Sequence, residues 1–249
     1  MLRALPTACA VGWILIAPAG AWEVVKISVI IPALNEAANI VRAVTSAQAS
    51  GAEEVIVADG GSGDETCMLA ELSGAKVVLA PRGRAVQQNA GARVASGDVL
   101  LFLHADNWLG EDAITQVRSA ANRRKNKLCG AFQQKIEAFP FIYRLLERGN
   151  AERVRWFGLP YGDQAIFVTR ELFDRVGGFP EEPFLEDVLL MQRLRRLSWP
   201  LLLPGPVHVS PRRWEQRGVL RQTLRNWAIL TAFSLGASTQ RLAAWYGRH

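Results

Sequence analysis

Strands alternate with helical segments between residues 26 and 106, and this alternation limits the fold more than any other feature of the chain. The apolar runs are "KISVII", "EEVIVAD", "KVVLA" and "DVLLFLHAD", with helical spacing in segments such as "NEAANIVRAVTSAQ" and "RAVQQNAGARVA" between them. This order favours parallel strands joined by right-handed crossovers. Because the strands are continuously apolar, we expect helices on both faces of the sheet. The sequence therefore predicts an α/β fold with a mostly parallel sheet.

The chain loses this regular alternation after residue 113, where each element is predicted from its local pattern. We expect a helix ending near residue 124, a strand "CGAFQQKI", a helix over 139–155, a strand "QAIFVTR", a helix "LEDVLLMQRLRRLS" and a last helix "GVLRQTLRNWAILTAFSLG". Earlier in the chain, Asn35 is predicted to cap the helix that follows the first strand. The absence of a linker favours one domain over residues 26–215, followed by a helical C-terminal appendage at 216–249.

Residues 1–25 form an N-terminal extension with one early Arg, an apolar run and a small-residue end, a pattern typical of a secretory signal peptide. Pro6, Gly12 and Pro18 interrupt the run, which is short for a membrane-spanning helix. A start codon assigned too far upstream, a disordered extension or a weak membrane-surface segment would give the same pattern.

Positive charge is concentrated at the C-terminal end. Residues 193–249 contain ten Arg, no Lys and one acidic residue, a net charge of +9 in a chain of net +6, so the remainder carries −3. Arg pairs bidentately with phosphate oxygens and also binds anionic membrane surfaces. A solvated charged face explains the same composition. Three of these Arg recur beside an apolar stripe of Leu220, Leu224 and Trp227, which either packs against the domain or contacts a membrane.

Polar residues follow all four strands of the first half, in the segments "PALNE", "ADGGSGDET", "APRGRA" and "HAD". In an open parallel sheet, ligands bind at the carboxyl ends of the strands. The segment "DGGSGDET" lacks both the Lys-Ser/Thr of a P-loop and the G-x-G-x-x-G of a dinucleotide site. Asp59 is placed at a strand tip, where a carboxylate can accept from a base N–H or a ribose hydroxyl. Asp64 is a second candidate, and it also fits a helix cap.

Five segments resemble family 2 glycosyltransferases of the GT-A type, in family order. They are "VIIPALNE", "VIVADGGSGDET", "GRAVQQNAGARVASGDVLLFLHAD", "PYGDQAIFVTRELFDRVGGFP" and "FLEDVLLMQRLRR", within about residues 26–214. The chain is most similar to the small bacterial subgroup linked to arsenosugar biosynthesis, also described as diaponeurosporenoate (carotenoid) glycosyltransferases. The resemblance implies a GT-A fold and a nucleotide-sugar site formed by Pro32, Asn35, Glu36, Asp59, Asp64, Arg82, Arg84 and Asn89.

The resemblance also implies a divalent cation, Mg²⁺ or Mn²⁺, at the end of the fourth strand. Family members carry a D-x-D motif there, and Asp106 matches its second aspartate. His104 stands where the first aspartate would be, and a neutral imidazole suits Mn²⁺ or softer metals better than Mg²⁺. Three roles remain open for His104: a metal ligand, a ribose or phosphate contact, and a buried histidine at a strand end.

An inverting transfer needs a carboxylate that takes the proton of the acceptor hydroxyl. The segment "PFLEDV" places Glu186 and Asp187 at the start of a helix, whose positive end favours ionised carboxylates. The resemblance implies that Asp187 is the base, with Glu186 orienting it or contacting the acceptor. Both acids could instead only complement the helix dipole.

Two further segments are implied to face the acceptor or the diphosphate. "YGDQ" supplies Asp163 and Gln164 as hydrogen-bond partners for an acceptor, although an Asp in a turn is common. "SPRRW" supplies Arg213, which could neutralise a departing diphosphate, and Trp214, which could stack on an acceptor. A surface Arg pair beside a core Trp would give the same sequence.

The sequence therefore predicts a metal-dependent inverting glycosyltransferase of the hexosyltransferase type, acting from a nucleotide-diphosphate sugar on an acceptor hydroxyl. A nucleotidyltransferase and a non-catalytic nucleotide-sugar-binding protein are the alternatives. We expect UDP as the carrier, because it is the commonest in such enzymes, and a small-molecule or lipid-like acceptor. Nucleotide sugars are held in the cytosol, so we expect a cytoplasmic protein, with a possible peripheral contact to the inner face of the cell membrane. No nucleic acid partner is expected.

Overall fold

The computed structural model describes residues 25–139 and 141–247. The N-terminal extension predicted over residues 1–25 therefore lies outside the described residues, except for Val25. The carbonyl oxygen of Val25 accepts a hydrogen bond from Arg118 Nε at 3.2 Å.

One sheet of eight strands runs through the protein, in the order β3-β2-β1-β4-β7-β6-β8-β5. The strands are β1 (Ile27–Ala33), β2 (Glu54–Asp59), β3 (Lys76–Leu79), β4 (Val99–Phe102), β5 (Asn107–Leu109), β6 (Cys129–Ile136), β7 (Ile166–Thr169) and β8 (Leu201–Val209). Strands β3, β2, β1 and β4 are parallel to one another, whereas β7 pairs antiparallel with both β4 and β6. β6 and β8 are parallel, and β5 is antiparallel to β8.

Helices flank the sheet and extend beyond it at the C-terminal end. They are α1 (Ile40–Ala49), α2 (Thr66–Leu72), α3 (Arg84–Val94), α4 (Ala113–Arg124), α5 (Phe141–Phe157), α6 (Arg170–Arg175), α7 (Glu186–Leu194), α8 (Arg212–Arg217), α9 (Val219–Ser234) and α10 (Thr239–Gly247). Two 3₁₀ turns cover Lys125–Lys127 and Gly162–Gln164. The α/β prediction is confirmed, together with its mostly parallel first half.

Both faces of the sheet are buried, as the continuous apolar strands predict. Val29 and Ile31 of β1 belong to one apolar core, whereas Ile30 points to the second core on the other face. Leu101 and Leu100 of β4 divide between the two cores in the same way. This double burial fixes the register of the strands, and hence the positions at which their polar ends meet.

One local prediction was wrong, and several elements were not predicted. Asn35 does not cap α1, whose N-cap is Asn39; Asn35 instead has a left-handed backbone with a φ of 53°. Strand β8 was not predicted, because its sequence "LLLPGPVHV" contains two prolines, which are rare inside strands. The short strand β5 and the short helices α6 and α8 were also not predicted.

Helix α9 packs against the domain through a face other than the one that carries Leu224 and Trp227. Leu224 and Trp227 of the predicted stripe are 62% and 71% exposed, whereas Gln222 and Ile229 are buried. Of the two alternatives for that stripe, packing against the domain is therefore contradicted for Leu224 and Trp227, and the side chain of Leu220 lies outside the described residues. Among the helices of residues 25–139 and 141–247, none is long and apolar enough to cross a membrane.

Candidate active site

Two cavities open at the carboxyl ends of β1 and β4 and meet along one wall. The small cavity has a volume of about 250 Å³, and the large cavity has a volume of about 440 Å³. Arg84, His104 and Asp106 line both of them. The two spaces are therefore neighbouring parts of one cleft, and these three side chains lie at the junction.

The small cavity is lined by the ends of three elements of the parallel half. Its lining residues are Pro32, Ala33, Leu34, Glu36, Arg82, Gly83, Arg84, Gln87, His104, Ala105 and Asp106. Gln87 ties this wall together, because its Nε2 donates to the carbonyl oxygens of Ala33 at 2.7 Å and Ala58 at 2.8 Å. Four of the predicted nucleotide residues, namely Pro32, Glu36, Arg82 and Arg84, lie here together.

Asn35 and Asp64 join the loops after β1 and β2 instead of lining either cavity. Asn35 Oδ1 accepts from the backbone N–H of Gly63 at 2.9 Å, and Asp64 Oδ2 accepts from that of Ala37 at 3.2 Å. The hydrogen bond from the Thr66 hydroxyl does most to hold the pKa of Asp64 below its ordinary value. Both residues shape the rim of the small cavity, and their predicted contact with a nucleotide stays a prediction.

Asp59 is fully buried at the tip of β2 and lines neither cavity. Its Oδ1 accepts from the backbone N–H groups of Gly61 and Ser62, both at 2.8 Å, and its Oδ2 accepts from the Ser62 hydroxyl. Burial raises the pKa of Asp59, but these hydrogen bonds outweigh burial and lower the pKa overall. Asp59 therefore organises the glycine-rich loop, and its predicted contact with a base or a ribose stays a prediction.

Asn89 is engaged away from both cavities. Its Nδ2 donates to the carbonyl oxygen of Phe179, and its Oδ1 accepts from the backbone N–H of the same residue, each at 2.9 Å. This pair of bonds fixes the turn after α6 against α3. The geometry gives no support to the predicted nucleotide contact of Asn89.

An ion pair crosses the junction of the cavities. Arg84 Nη1 lies 3.0 Å from Glu186 Oε1, and the two side chains are 45% and 5% exposed. Burial raises the pKa of Glu186, the charge of Asp187 raises it further, and Arg84 opposes both. Partial burial lowers the pKa of Arg84, but the attraction of Glu186 and Asp187 outweighs this and raises the pKa overall. Glu186 thus holds Arg84 at the junction.

Asp187 is the half-buried carboxylate of the large cavity, on the first turn of α7. Its Oδ2 accepts from the backbone N–H of Gly162 at 2.6 Å, and its Oδ1 accepts from that of Val188 at 2.7 Å. Two backbone donors from different elements therefore fix the orientation of the carboxylate.

Gly162 allows His104 and Asp187 to approach the same point. A Cβ atom at position 162 would lie 2.7 Å from His104 Nε2 and 3.3 Å from Asp187 Oδ2. The first distance is shorter than real Cβ contacts, so a larger residue would displace the imidazole. The close approach brings a buried imidazole beside the carboxylate, and it requires glycine.

A half-buried arginine, Arg153, supports the turn that carries Gly162. Arg153 stacks on the ring of Tyr161 at 3.3 Å, and its Nη2 donates to Gln164 Oε1 at 2.7 Å. Gln164 also donates through Nε2 to the carbonyl oxygen of Phe132 at 3.3 Å. Asp163 lines the large cavity as predicted, but Gln164 is fully buried and supports the turn from inside the protein.

The C-terminal helices form the remaining wall of the large cavity. Trp214 lines it and packs edge-on against Tyr143, with ring centroids 6.2 Å apart. Arg213 lies in α8, but its side chain is outside the described residues; the neighbouring Arg212 lines the cavity. Several lining residues were not predicted from the sequence, namely Asn107, Tyr161, Phe184, Leu185, Val188, Val209, Arg212, Gln222, Asn226, Ile229 and Leu230.

One sequence pattern could have predicted the part of this wall that α9 forms. Gln222 and Asn226 are spaced i, i+4, so they share a face of α9, and both are polar beside the apolar Ile229 and Leu230. Such a polar pair on a packing face indicates a cavity or a buried network.

The donor set at the junction fits a cation that is shared with a ligand. In the part of the chain that the structure describes, no group of three or more His, Cys, Asp or Glu side chains is placed to hold a metal ion. Asp106 and His104 could supply two ligands from the wall common to both cavities. Mg²⁺ is commonly held by one or two carboxylates together with phosphates of the substrate. The residues present therefore suit an ion completed by a diphosphate.

Relatives of known sequence match between half and two thirds of the chain. An uncharacterized glycosyltransferase of Bacillus subtilis is 31% identical over 139 residues, which cover 52% of this chain and 35% of that protein. An uncharacterized glycosyltransferase of Mycobacterium tuberculosis is 39% identical over 172 residues, covering 61% of this chain and 62% of that protein. The match to this chain thus spans less than two thirds of the length of these relatives.

Solved structures show the same fold. S. aureus TarS in complex with UDP-GlcNAc aligns at a TM-score of 0.59 and 18% identity, over 74% of this chain and 58% of that chain. Glucosyl-3-phosphoglycerate synthase from Mycobacterium tuberculosis, in complex with Mn²⁺, UDP and glucosyl-3-phosphoglycerate, aligns at 0.53 and 22% identity, over 74% and 71%. The sequence model of Glycosyl transferase family 2 matches residues 28–180, which is more than half of the chain. The protein therefore belongs to glycosyl transferase family 2.

Proposed function

We propose that this protein transfers a sugar from a nucleotide-diphosphate sugar to an acceptor hydroxyl, with inversion at the anomeric carbon. The observation that carries this proposal is the junction of the two cavities. Arg84, His104 and Asp106 line both spaces, whereas Asp187 lines only the large one. A donor in the small cavity would present its sugar at the junction, opposite an acceptor held beside Asp187.

The chemistry follows from which groups face each space. The acceptor hydroxyl attacks the anomeric carbon, and its proton passes to the Asp187 carboxylate. The bond from the anomeric carbon to the diphosphate oxygen breaks, and that oxygen takes the electron pair. The cations of the small cavity, Arg82 and Arg84, then lie on the side where negative charge develops. Glu186 serves this step by positioning Arg84.

We assign UDP and a divalent cation to the same site. Support comes from solved neighbours, which were determined with UDP-GlcNAc, or with UDP and Mn²⁺ or Mg²⁺. Asp106 and His104 would hold the cation, which when bound would neutralise charge on the diphosphate. The subgroup resemblance to arsenosugar and diaponeurosporenoate glycosyltransferases rests on the sequence segments alone, and a small or lipid-like acceptor is proposed on that basis.

Nucleotide binding and product analysis test this function together. Each of UDP, GDP, CDP and dTDP, with Mg²⁺ or Mn²⁺, is added in a thermal-shift assay, because a ligand of the native state raises Tm by mass action. We expect UDP with a cation to give the largest shift, and UDP-sugars to be hydrolysed slowly with release of UDP. In a separate reaction with UTP and a sugar 1-phosphate, formation of UDP-sugar with release of pyrophosphate would instead identify a nucleotidyltransferase. Failure of all four nucleotides to shift Tm would refute the proposal.

We propose a cytoplasmic protein with peripheral membrane contact through α9. Support comes from the exposed Leu224 and Trp227, with the exposed Arg221 beside them. Such an apolar and basic face suits an anionic lipid surface. The protein is sedimented with anionic and with neutral vesicles, and salt-sensitive binding to the anionic vesicles alone is expected. Equal binding to neutral vesicles, or none to either, would contradict this contact.

A further inference from the structure

Among the described residues, two buried amide oxygens on residues that line the large cavity have no hydrogen-bond partner. They are Asn107 Oδ1, on a residue that is 2% exposed, and Gln222 Oε1, on a residue that is 4% exposed. Both residues line the cavity that contains Asp187, and they come from two distant elements, β5 and α9. A buried acceptor without a donor costs its full desolvation free energy. The described part of the protein therefore retains two unsatisfied acceptors on the lining of the cavity that also contains the proposed base.

The amide nitrogens of both residues are already engaged. Asn107 Nδ2 donates to the carbonyl oxygen of Asp163 at 3.1 Å, and Gln222 Nε2 donates to Asn226 Oδ1 at 2.9 Å. Rotating the side-chain amide of Asn107 by about 180° would place its oxygen against the carbonyl oxygen of Asp163. Its orientation is thus fixed by the protein, and the oxygen is left for a donor from a ligand.

The charge of the cavity disfavours an anionic acceptor. Its described lining includes four carboxylates, those of Asp106, Asp163, Glu186 and Asp187, and two guanidinium groups, those of Arg84 and Arg212. One of the guanidinium groups, on Arg84, is already paired with Glu186. A phosphate or carboxylate on the acceptor would add repulsion, whereas hydroxyl groups would meet acceptors that need donors.

One part of the cavity is apolar. Leu185, Val188 and Ile229 line it and belong to one buried cluster, against which Leu230 and Phe184 also pack. An acceptor made only of hydroxyl groups would leave these side chains facing polar atoms. An acceptor with an aliphatic portion would cover them and gain from burying apolar surface.

We infer that the acceptor is a neutral polyol with an aliphatic substituent, in the chemical class of alkyl or acyl glycosides. Hydroxyls next to the reacting one donate to Asn107 Oδ1 and Gln222 Oε1, and the aliphatic part lies against Leu185, Val188 and Ile229. This inference rests on the proposed function, because it assigns the acceptor of that reaction.

The first experiment compares acceptor classes on the wild-type protein. UDP release from the hydrolysed UDP-sugar is measured with n-octyl glycosides of glucose, galactose and mannose, below their micelle concentrations. The comparison compounds are n-octanol, which lacks the extra hydroxyls, and glucose 6-phosphate, which is an anionic polyol. We expect at least one octyl glycoside to increase UDP release at least about tenfold over the two comparison compounds.

The second experiment tests the amide oxygen itself. Gln222→Met removes the acceptor, and we expect the KM for the active glycoside to rise about tenfold. Gln222→Glu supplies a carboxylate oxygen at the same place, so its KM should stay close to that of the wild type. Gln88→Met is the matched control, because Gln88 is 1% exposed, its Oε1 also lacks a partner, and it lines neither cavity. The control should leave the KM unchanged, and the Tm of each variant confirms folding.

The outcomes distinguish a wrong acceptor class from a wrong assignment of sugar transfer itself. If n-octanol or glucose 6-phosphate is used as well as the best glycoside, or no glycoside is used while UDP-sugar hydrolysis continues, the acceptor class is overturned and sugar transfer stands. An unchanged KM in Gln222→Met, or equal losses in Gln88→Met, would also overturn it. If neither UDP binding nor hydrolysis occurs, the proposed function itself fails.

Discussion

The small and large cavities share one wall, but the chain builds them in different ways. The small cavity is lined only by residues from three short stretches at the ends of parallel-sheet elements, 32–36, 82–87 and 104–106. The large cavity adds residues from four more separated segments, 161–163, 184–188, 209–214 and 222–230. The difference shows that one half of the cleft is specified by the sheet, whereas the other depends on how distant helices assemble over it.

The supporting contacts differ in the same way. Around the small cavity, neighbouring loops hold each other through side chains such as Asn35 and Asp64. Around the large cavity, the support comes from Arg153, which stacks behind Tyr161, and from α9, which contributes Gln222 and Ile229. We therefore expect substitutions in the large cavity to change transfer while nucleotide affinity stays, and the following predictions test this separation.

The largest expected effect is that of Asp187→Asn, which keeps the shape of the side chain but removes the base. Transfer should fall by about 10²–10⁴-fold, the usual contribution of general-base catalysis. UDP affinity, measured by titration calorimetry, should stay within about twofold of the wild type, below the effect of one lost hydrogen bond. A parallel loss of UDP affinity would show that Asp187 belongs to the donor site, and the two cavities would not be separable.

Asp106→Ala should affect both cavities, because Asp106 lies in their common wall. We expect UDP affinity in the presence of Mg²⁺ or Mn²⁺ to fall about 10–100-fold, as for the loss of a charged contact. His104→Asp is the matched variant: it restores an all-oxygen pair, so activity should persist with a shift from Mn²⁺ toward Mg²⁺. Loss of all activity in His104→Asp would mean that the imidazole makes a contact that a carboxylate cannot replace.

Gly162→Ala should lower transfer about tenfold, because its Cβ would displace His104 by a fraction of an ångström and disturb Asp187. The variant keeps the backbone N–H of residue 162 that donates to Asp187. A loss of rate would therefore come from crowding between the new Cβ atom and the side chains of His104 and Asp187. Gly149→Ala is the control, since a Cβ at position 149 would meet no heavy atom within 4 Å. Steady-state rates that fall equally in both variants would rule out a specific role for this approach.

The sequence predicted the sheet side of the molecule well because apolar periodicity encodes it directly. Strands β1 to β4 and their polar ends follow from runs such as "KISVII", and Pro32, Glu36, Arg82 and Arg84 do meet in the small cavity. Asp59 and Asn89 show the limit of this reasoning. A polar residue at a strand end or on a helix face can serve a ligand, a loop or both. Asp59 and Asn89 hold backbone groups in this structure, and their predicted contact with a nucleotide stays a prediction.

The large cavity could be predicted only at its motif residues. Asp163, Glu186, Asp187 and Trp214 were predicted, and the structure brings all four together. The α9 wall was not predicted, because its packing face is set by tertiary contacts and a stripe of Leu224 and Trp227 looked equally suitable for burial. Helix periodicity identifies a face but does not say which of two faces meets the protein.

The smallest expected effect is a difference in the pH dependence of stability between the two sides of the cleft. Burial raises the pKa of Glu186 above its ordinary 4.5, so the native state binds more protons than the unfolded state as pH rises from about that value. Stability therefore falls in this range, and Glu186→Gln should gain stability relative to the wild type as pH rises. Asp64, at the rim of the small cavity, should behave in the opposite way, because its pKa is lowered from 3.8 and its contribution is lost as pH falls below that value. Urea denaturation between pH 3 and pH 7 would measure the free energy of unfolding of the wild type, Glu186→Gln and Asp64→Asn. If this free energy depends on pH in the same way in Glu186→Gln as in the wild type, ionisation of the buried Glu186 carboxyl does not destabilise the fold.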